Sequence, residues 1–592
     1  MNKFKKTMLG ILLGIFTAPL GLDARPGHKA FAQECNEWKM YGRDLGDARN
    51  QPCDDINPGN VGDLELKWSF HDPSAFTGGF TKGPAADQEA LYQFEAFGGL
   101  YYKLDRNSGN LIWKKDINQT IRQCLPNAPL PALLGLETSP ALFGDKLIAA
   151  TVPSQFDFNG PTAPGGYLVT LDKKTGNCET ATLVSDPNHL YEGILTSPTI
   201  HGNVAYVAIS GYEEGAASIP GYSCCNTIGK VCAVNIQDGK KLWCEPLIDP
   251  RGDPSTSADD LPDLQGYSGV TSWTSAPAVY PDTQSVIITT GNAYTRGDVD
   301  PASLSPFHLA LNSFVSFDMK TGRKNWVTQV IPDDFWNSGC IPFIGVPENC
   351  PEGQGPDYDF PSGASLIRNV PVGNTVRDVA AAINKSGKVF AVDARTGERL
   401  WDTLIGPSSL ISLGGNSSDG SRFYAVSVNS VDFDQEGAFI SRSWVLQGGP
   451  HAGETIHGGS LSALDPSSGE ILWQNAGETS FAPEFFGFSV SPYLAPPSST
   501  GTGNGVVLAA ATYPNELLAF FGGLDLELLY SLFPTAPNLF AFDAASGEIL
   551  WSQATINPPI AGPTIVGRSI YWATGLYLPG TLYAFEIPES LD

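Results

Sequence analysis

Side chains able to hold a cation and move a proton gather in the middle of this chain. Glu213 and Glu214 are adjacent in "SGYEEGAASIPGYSCCNTIGKVCAVN", Asn292 ends "VIITTGN", and "GPDYDFPSGAS" offers Asp357 and Asp359. A glutamate, an asparagine amide and an aspartate form a hard-oxygen set suited to Ca²⁺. Lys385 in "AAINKSGKVFAVD" adds a cation and Trp273 in "GVTSWTSAPAV" a flat apolar ring. Cys224 and Cys225 add two neighbouring sulfurs. Taken singly, each has a plainer reading. An Asp in a loop caps a turn, an Asn after Thr-Gly turns the chain, and a Lys before Ser-Gly is solvated. Chemistry follows only if a fold brings these distant positions to one place.

A repeat supplies that fold. "YKLDRNSGNLIW" ends at Trp113, "VTLDKKTGNCET" at Thr180 and "AVNIQDGKKLW" at Trp243. "SFDMKTGRKNW", "AVDARTGERLW", "ALDPSSGEILW" and "AFDAASGEILW" end at Trp326, Trp401, Trp473 and Trp551. Each phrase reads as a strand, an Asp-x-x-Ser/Thr-Gly turn and a strand ending in Trp, which together make a hairpin. Trp68 in "LELKWSF" reads as the second strand of one more hairpin, and "TLYAFEIP" near the end as its first. The predicted fold is all-β: an eight-bladed β-propeller, one domain over 33–592, closed by pairing of its N- and C-terminal strands. Most repeat tryptophans are expected to pack between blades. In a ring of blades, loops at one end converge on the central axis, so residues far apart in sequence can meet there.

Composition narrows the function. Lys3, Lys5 and Lys6, an apolar run and "AFA" ending at Ala32 read as an export signal over 1–32, which predicts a periplasmic or secreted protein. Its removal takes away five basic groups and one acidic group and shifts the formal charge from −27 to −31. So acidic a chain repels nucleic acid and anionic membranes and attracts a basic protein. No stable membrane insertion is expected, because "LLAFFGGLDLELLYSLF" carries Asp525 and Glu527. Ten cysteines in an exported chain favour disulfides. The sequence-local pairing is Cys35–Cys53, Cys124–Cys178, Cys224–Cys225, Cys232–Cys244 and Cys340–Cys350, although spacing alone does not fix connectivity. No Cys-x-x-Cys-His occurs, so no covalently attached haem is expected.

With "EWKMYGRDLGDARNQP" and "INPGNVGDLELKW" at its start, the chain resembles the pyrroloquinoline quinone (PQQ)-dependent alcohol dehydrogenases. The Glu-Glu segment followed by "GYSCCNTIGKVCAVN" is most similar to their polyvinyl-alcohol branch. The resemblance implies PQQ and Ca²⁺ as cofactors. It places the Glu metal ligand on Glu213 or Glu214, with Glu214 favoured, and further ligands on Asn292 and Asp359. It makes Asp359 the general base, Lys385 the donor to the quinone oxygen, and Trp273 the indole lying beneath the cofactor. Asn429 in "AVSVNSVDF" matches a polar cofactor contact, and Arg122 stands in for the family's cofactor-binding arginine. The Cys224–Cys225 pair either covers the cofactor or locks its loop. Where family members often show Asp-Phe-Gly-Ala-Ser, this chain adds Pro361 and Ser362.

The implied activity is oxidation of an alcohol to a carbonyl, with electrons leaving to a separate soluble cytochrome c. The branch points to a secondary alcohol, including a polymeric one. The apolar insertion near 517–540 either lines a substrate mouth or packs over the last blade. The competing class is a non-catalytic propeller that serves as a scaffold or binding protein of the cell envelope.

Overall fold

In the computed structural model, residues 35–589 are described, except 76–78, 156–159, 274–275, 343–344, 409–413, 428–431, 434–438, 441–442, 457–458, 478–494, 512–536, 556–558 and 576–579. The export signal, Asn429 and most of the apolar insertion therefore lie outside the described residues. Among those described, no helix is long and apolar enough to cross a membrane.

Eight antiparallel sheets, each built on four strands, follow one another along the chain. Seven are continuous in sequence: blade 1 at 85–116, blade 2 at 141–183, blade 3 at 199–246, blade 4 at 278–329, blade 5 at 365–404, blade 6 at 416–475 and blade 7 at 498–553. Blade 8 takes three strands from 564–586, and its outermost strand is Glu65–His71. That strand runs antiparallel to Thr581–Glu586, with Glu65 opposite Glu586 and His71 opposite Thr581. Pairing the two ends of the chain closes the ring, as the repeat predicts.

The repeated phrase holds neighbouring blades together. In blade 1 the Asp105 carboxylate accepts the amides of Asn107 and Ser108 at 3.2 and 2.8 Å, which caps the turn. Gly109 follows at φ 71°, a left-handed conformation that glycine adopts without strain. A Cβ on Gly109 would lie 2.6 Å from the Trp68 ring, and one on Gly547 would lie 2.5 Å from the ring of Trp473. The glycine thus turns the chain and also receives the preceding blade's tryptophan. The indole N–H then donates onward: Trp113 to Lys174 O at 3.0 Å, Trp243 to Met319 O at 2.9 Å, Trp473 to Ala544 O at 3.0 Å. Blade 2 has Thr180 in place of the tryptophan, and the next turn glycine, Gly239, meets Thr180 and Thr182 instead.

The segment from Cys35 to Arg49 floors the ring. Its carbonyls accept amide hydrogens from the innermost strand, or the turn just after it, in seven blades: Gly567, Ala86, Leu142, Val279, Leu366, Ser418 and Ser499. Except in blade 5, where Leu366 is the second residue of the strand Ser365–Val372, these contacts lie at the end where the innermost strand runs into its first turn. The expected residues Trp273, Asn292 and Lys385 lie at the opposite end, where loops enter the innermost strands. All five expected disulfides are present, and none of the described cysteines is free.

Candidate active site

Five segments meet at this end of the ring. One insertion, between the second and third strands of blade 3, opens with a helical turn, Glu213–Ala216. The other joins blade 4 to blade 5 and runs from 330 to 364, with 3-10 turns at Ser338–Cys340 and Pro347–Asn349. The segment before blade 4 brings Trp273, the end of its second strand brings Asn292, and the end of that strand in blade 5 brings Lys385.

Carboxylate oxygens of Glu214, Asp357 and Asp359 lie within 4.8 Å of one another. Lys385 is 6% exposed; its Nζ donates to Asp357 at 2.9 and 3.1 Å and to Asp359 Oδ2 at 2.9 Å. The indole N–H of Trp273 also donates to Asp359 Oδ2, at 3.2 Å, and the Lys385 ammonium stands 5.2 Å from the Trp273 ring centroid. The backbone N–H of Asn292 donates to Asp359 Oδ1 at 2.6 Å. Glu214 Oε1 is sealed from solvent with no hydrogen-bond partner.

Asp334 braces this group from behind. It is fully buried and accepts the amides of Asp357 and Tyr358 at 3.0 and 2.6 Å and the Asn312 side chain at 2.8 Å. Those contacts fix Asp357 in its left-handed conformation, φ 61°.

The electrostatics are those of crowded carboxylates. Burial, then the Asp359 charge, pushes Glu214 up to about 8, against the pull of Lys385 and an Asn292 hydrogen bond. Burial likewise raises Asp334 to about 6, and burial with its acidic neighbours lifts Asp357 well above the usual range. Against its own burial, Lys385 is held charged by Asp357, Asp359 and Glu214. Like charges packed so closely call for a cation. An unpartnered buried oxygen and an all-oxygen donor set fit a hard ion such as Ca²⁺.

The cluster borders a cavity of about 180 Å³. Its wall includes Trp273, Trp336, Tyr212, Tyr294, Asp357 and Lys385. Aromatic rings with a few converging polar groups are the usual lining of a small-molecule site.

Of the expected residues, Glu214, Asn292, Asp359, Lys385 and Trp273 converge. Glu213 does not join them. Its carboxylate accepts the amides of Asn226 and Thr227 and the Tyr222 hydroxyl, so it folds the insertion back on itself. Between the two adjacent glutamates, the cluster oxygen therefore belongs to Glu214. Cys224 and Cys225 form a vicinal disulfide across a cis peptide, one residue before Asn226. That pair does not line the cavity, and the Cys224 amide donates instead to Asn349 at 3.2 Å. Arg122 is exposed in the last turn of the helix Ile117–Cys124 and is not among the residues that line the cavity. The extra Pro361 and Ser362 leave Asp359 facing Asn292, with the Ser362 carbonyl tied to Thr289 at 2.6 Å.

Three contributors were not assigned from sequence. Asp357 borders the cavity while Asp359 stands behind it, Trp336 adds a second indole, and Asp334 aligns the aspartate pair. Only Asp357 had a sequence signal, its place two residues before Asp359.

Residues 38–340 match the family model described as glucose/ethanol/alcohol dehydrogenase, beta-propeller domain. Glu214, Trp273 and Asn292 lie inside that match, and the aspartate pair and Lys385 beyond it. Residues 457–588 match a model described as outer membrane protein assembly factor BamB. A polyvinylalcohol dehydrogenase of a Sphingopyxis strain is 24% identical over 91% of this chain and 72% of its own length. One from a Pseudomonas species is 27% identical over 63% of this chain, spanning 52% of that relative. Among solved structures, a quinohemoprotein alcohol dehydrogenase from Pseudomonas putida superposes with TM-score 0.62 at 18% identity, covering 95% of this chain and 82% of that one. A europium-containing methanol dehydrogenase gives 0.60 at 15% identity, covering 95% and 100%.

Proposed function

The chain belongs to the PQQ-dependent glucose/ethanol/alcohol dehydrogenase β-propeller family, and from that premise we propose that it oxidises an alcohol to a carbonyl with PQQ and a bound Ca²⁺. One observation carries the reading: carboxylates from two insertions meet at an aromatic cavity, and one oxygen, Glu214 Oε1, has no partner. Glu214 and Asp359 would hold the ion, with the Asn292 side chain beside them and Asp357 at the cavity edge of the cluster. When bound, PQQ supplies the two-electron acceptor and the ion a Lewis acid.

The chain's own residues bind, orient and move the proton. Asp359 has both oxygens engaged, by Asn292, Trp273 and Lys385, and does not border the cavity. Asp357, whose two oxygens both accept from Lys385, does border it. We therefore assign acceptance of the substrate hydroxyl proton to Asp357, and to Asp359, the base expected from sequence, the holding and aligning of the ion. A bound cation opposes the burial and repulsion that lift Asp357 and so favours its ionised form. Lys385 holds its charge at the cavity wall, placed to donate to an oxygen that gains electrons. Trp273 offers its indole as the surface for a flat ring.

Two polyvinylalcohol dehydrogenases among the relatives favour a secondary alcohol, polymeric in that branch, as substrate. The export signal and five disulfides favour the periplasm or exterior. A separate cytochrome c as electron acceptor suits a chain of net charge −27 without a haem-attachment motif. Three carboxylates around one ammonium also suit a trivalent ion, so Eu³⁺ belongs beside Ca²⁺ in the test. The BamB-type match over 457–588 favours a scaffold as the second reading, which leaves the cluster at Glu214 without a role.

The test reconstitutes the purified protein with PQQ and either ion and follows dye reduction with primary, secondary and polymeric alcohols. The reading expects bound-PQQ absorbance and alcohol-dependent reduction. Asp357→Asn should keep PQQ and ion but lose turnover by about 10²-fold or more. A protein that binds neither PQQ nor ion would leave the scaffold reading in possession.

A further inference from the structure

Glu214 sits in a helical turn of only four residues, too short to hold itself in place. Its carboxylate nevertheless meets two aspartates more than a hundred residues away in sequence. Something must fasten the blade 3 insertion, which carries Glu214, to the 330–364 insertion, which carries Asp357 and Asp359.

Two polar side chains of the 330–364 insertion do so. Asn349 uses every hydrogen-bonding group of its amide on the other insertion. Its Nδ2 donates to Ala217 O at 2.9 Å and to Tyr222 O at 2.8 Å, and its Oδ1 accepts the Cys224 amide at 3.2 Å. Ser338 Oγ reaches the carbonyls of Glu214 itself at 2.7 Å and of Gly215 at 2.8 Å. Both residues are anchored on their own side. Asn337 Nδ2 donates to Asn349 O at 2.7 Å and to Tyr294 O at 2.9 Å, which ties the clasp to blade 4. The Cys340–Cys350 disulfide closes the loop whose last residue is Asn349. Gly339 leaves room for this fold, since a Cβ there would lie 2.8 Å from Asn337 Oδ1 and 3.0 Å from Asn349 Cβ.

We propose that Asn349, with Ser338, is the positioning residue of the cation site, clasping the two insertions so that Glu214 meets Asp357 and Asp359. The inference rests on the function proposed above. An amide is required, because only an amide offers two donors and one acceptor. An aspartate of the same shape would set a carboxylate against two carbonyls and open the clasp.

The test is Tb³⁺ titration of the full-length protein, read as luminescence sensitised by the nearby indoles, with Ca²⁺ competition. Asn349→Asp should weaken binding 10- to 100-fold, the usual range for partners that orient metal ligands, and Ser338→Ala several-fold. Far-UV circular dichroism should not change. Excess Ca²⁺ should restore dye reduction in Asn349→Asp and not in Glu214→Gln; a merely structural defect would not respond to the ion. If Asn349→Asp fails to fold, Ser338→Ala, which removes one hydroxyl, decides. The clasp is wrong if both variants titrate like the parent while Glu214→Gln loses binding; the function reading then stands. If the parent protein binds no ion, or Glu214→Gln binds like it, the function reading falls and the clasp with it.

Discussion

The backbone N–H of Asn292 donates to Asp359 Oδ1 at 2.6 Å, so the turn that presents one expected ligand also aims the other. The contact exists because the residue before Asn292 is glycine. A Cβ on Gly291 would fall inside the envelope of Asp359 Oδ1 and reach 2.9 Å from its Cγ. Gly291→Ala must therefore displace the aspartate. Overpacking of this kind costs about 1–3 kcal/mol. The expected outcome is at least a ten-fold loss of Ca²⁺ affinity by calorimetry, with folding retained. Unchanged affinity would mean that Asp359 takes no part in holding the ion.

Ion binding should depend on pH through Glu214. Burial and the Asp359 charge raise its carboxyl to about 8 without an ion, so it is largely protonated at neutral pH. Ca²⁺ must displace that proton. Affinity should rise with pH up to about 8 and level off above, with proton release on binding near pH 7. Stability of the ion-free protein runs the other way. The folded state keeps the Glu214 proton at pH values where the unfolded chain has lost it, so this contribution is whole below about 4.5 and fades as pH climbs through 8. Melting of the ion-free protein from pH 5 to 8 should show the fall, and Glu214→Gln should flatten both trends.

The ring was legible in the sequence because each residue of the repeated phrase has a local physical task. Asp caps, Gly turns, and Trp fills the space above the next blade's glycine. The site was legible in residue type and only partly in role. Adjacent residues on a helical turn point about 100° apart, so nothing short of the fold separates Glu214, on the cluster, from Glu213, on its own loop. Asp357 and Asp359 share one motif, and which of them borders the cavity depends on backbone amides held by Asp334, in a segment that reads as plain loop. Asn349 gave no signal, since its three partners lie in another insertion.

The blade-to-blade tryptophans should carry much of the stability. Trp473 is 1% exposed, packs against Gly547 and donates to Ala544 O in the next blade at 3.0 Å. Trp473→Ala should cost about 3–5 kcal/mol in chemical denaturation. Trp→Phe at the same place should recover most of the packing and lose about 1 kcal/mol for the hydrogen bond. Equal losses from the two variants would mean that the ring does not depend on filling this space.

Arg49 offers the last test, because it ties the floor of the channel to the join in the ring. It is 3% exposed, and its guanidinium stands 4.6 Å from the Tyr41 ring centroid. It donates to Tyr41 O at 2.8 Å in its own segment and to Pro497 O at 3.1 Å and Ser498 Oγ at 2.9 Å in and before blade 7. A fourth bond, at 3.2 Å, reaches Pro563 O at the entrance to blade 8, whose outermost strand comes from the other end of the chain. Lysine cannot copy this fork, since one ammonium cannot span carbonyls on three segments. Arg49→Leu would also remove one of the two charges, with Lys82, that oppose the upward pull of burial on the Asp47 carboxyl. Leaving the buried carbonyls of Tyr41, Pro497 and Pro563 without this donor costs about 1–3 kcal/mol each. Arg49→Lys and Arg49→Leu should therefore both lower the melting temperature clearly, and a melt of either that matches the parent would mean that the floor segment contributes little to closing the ring.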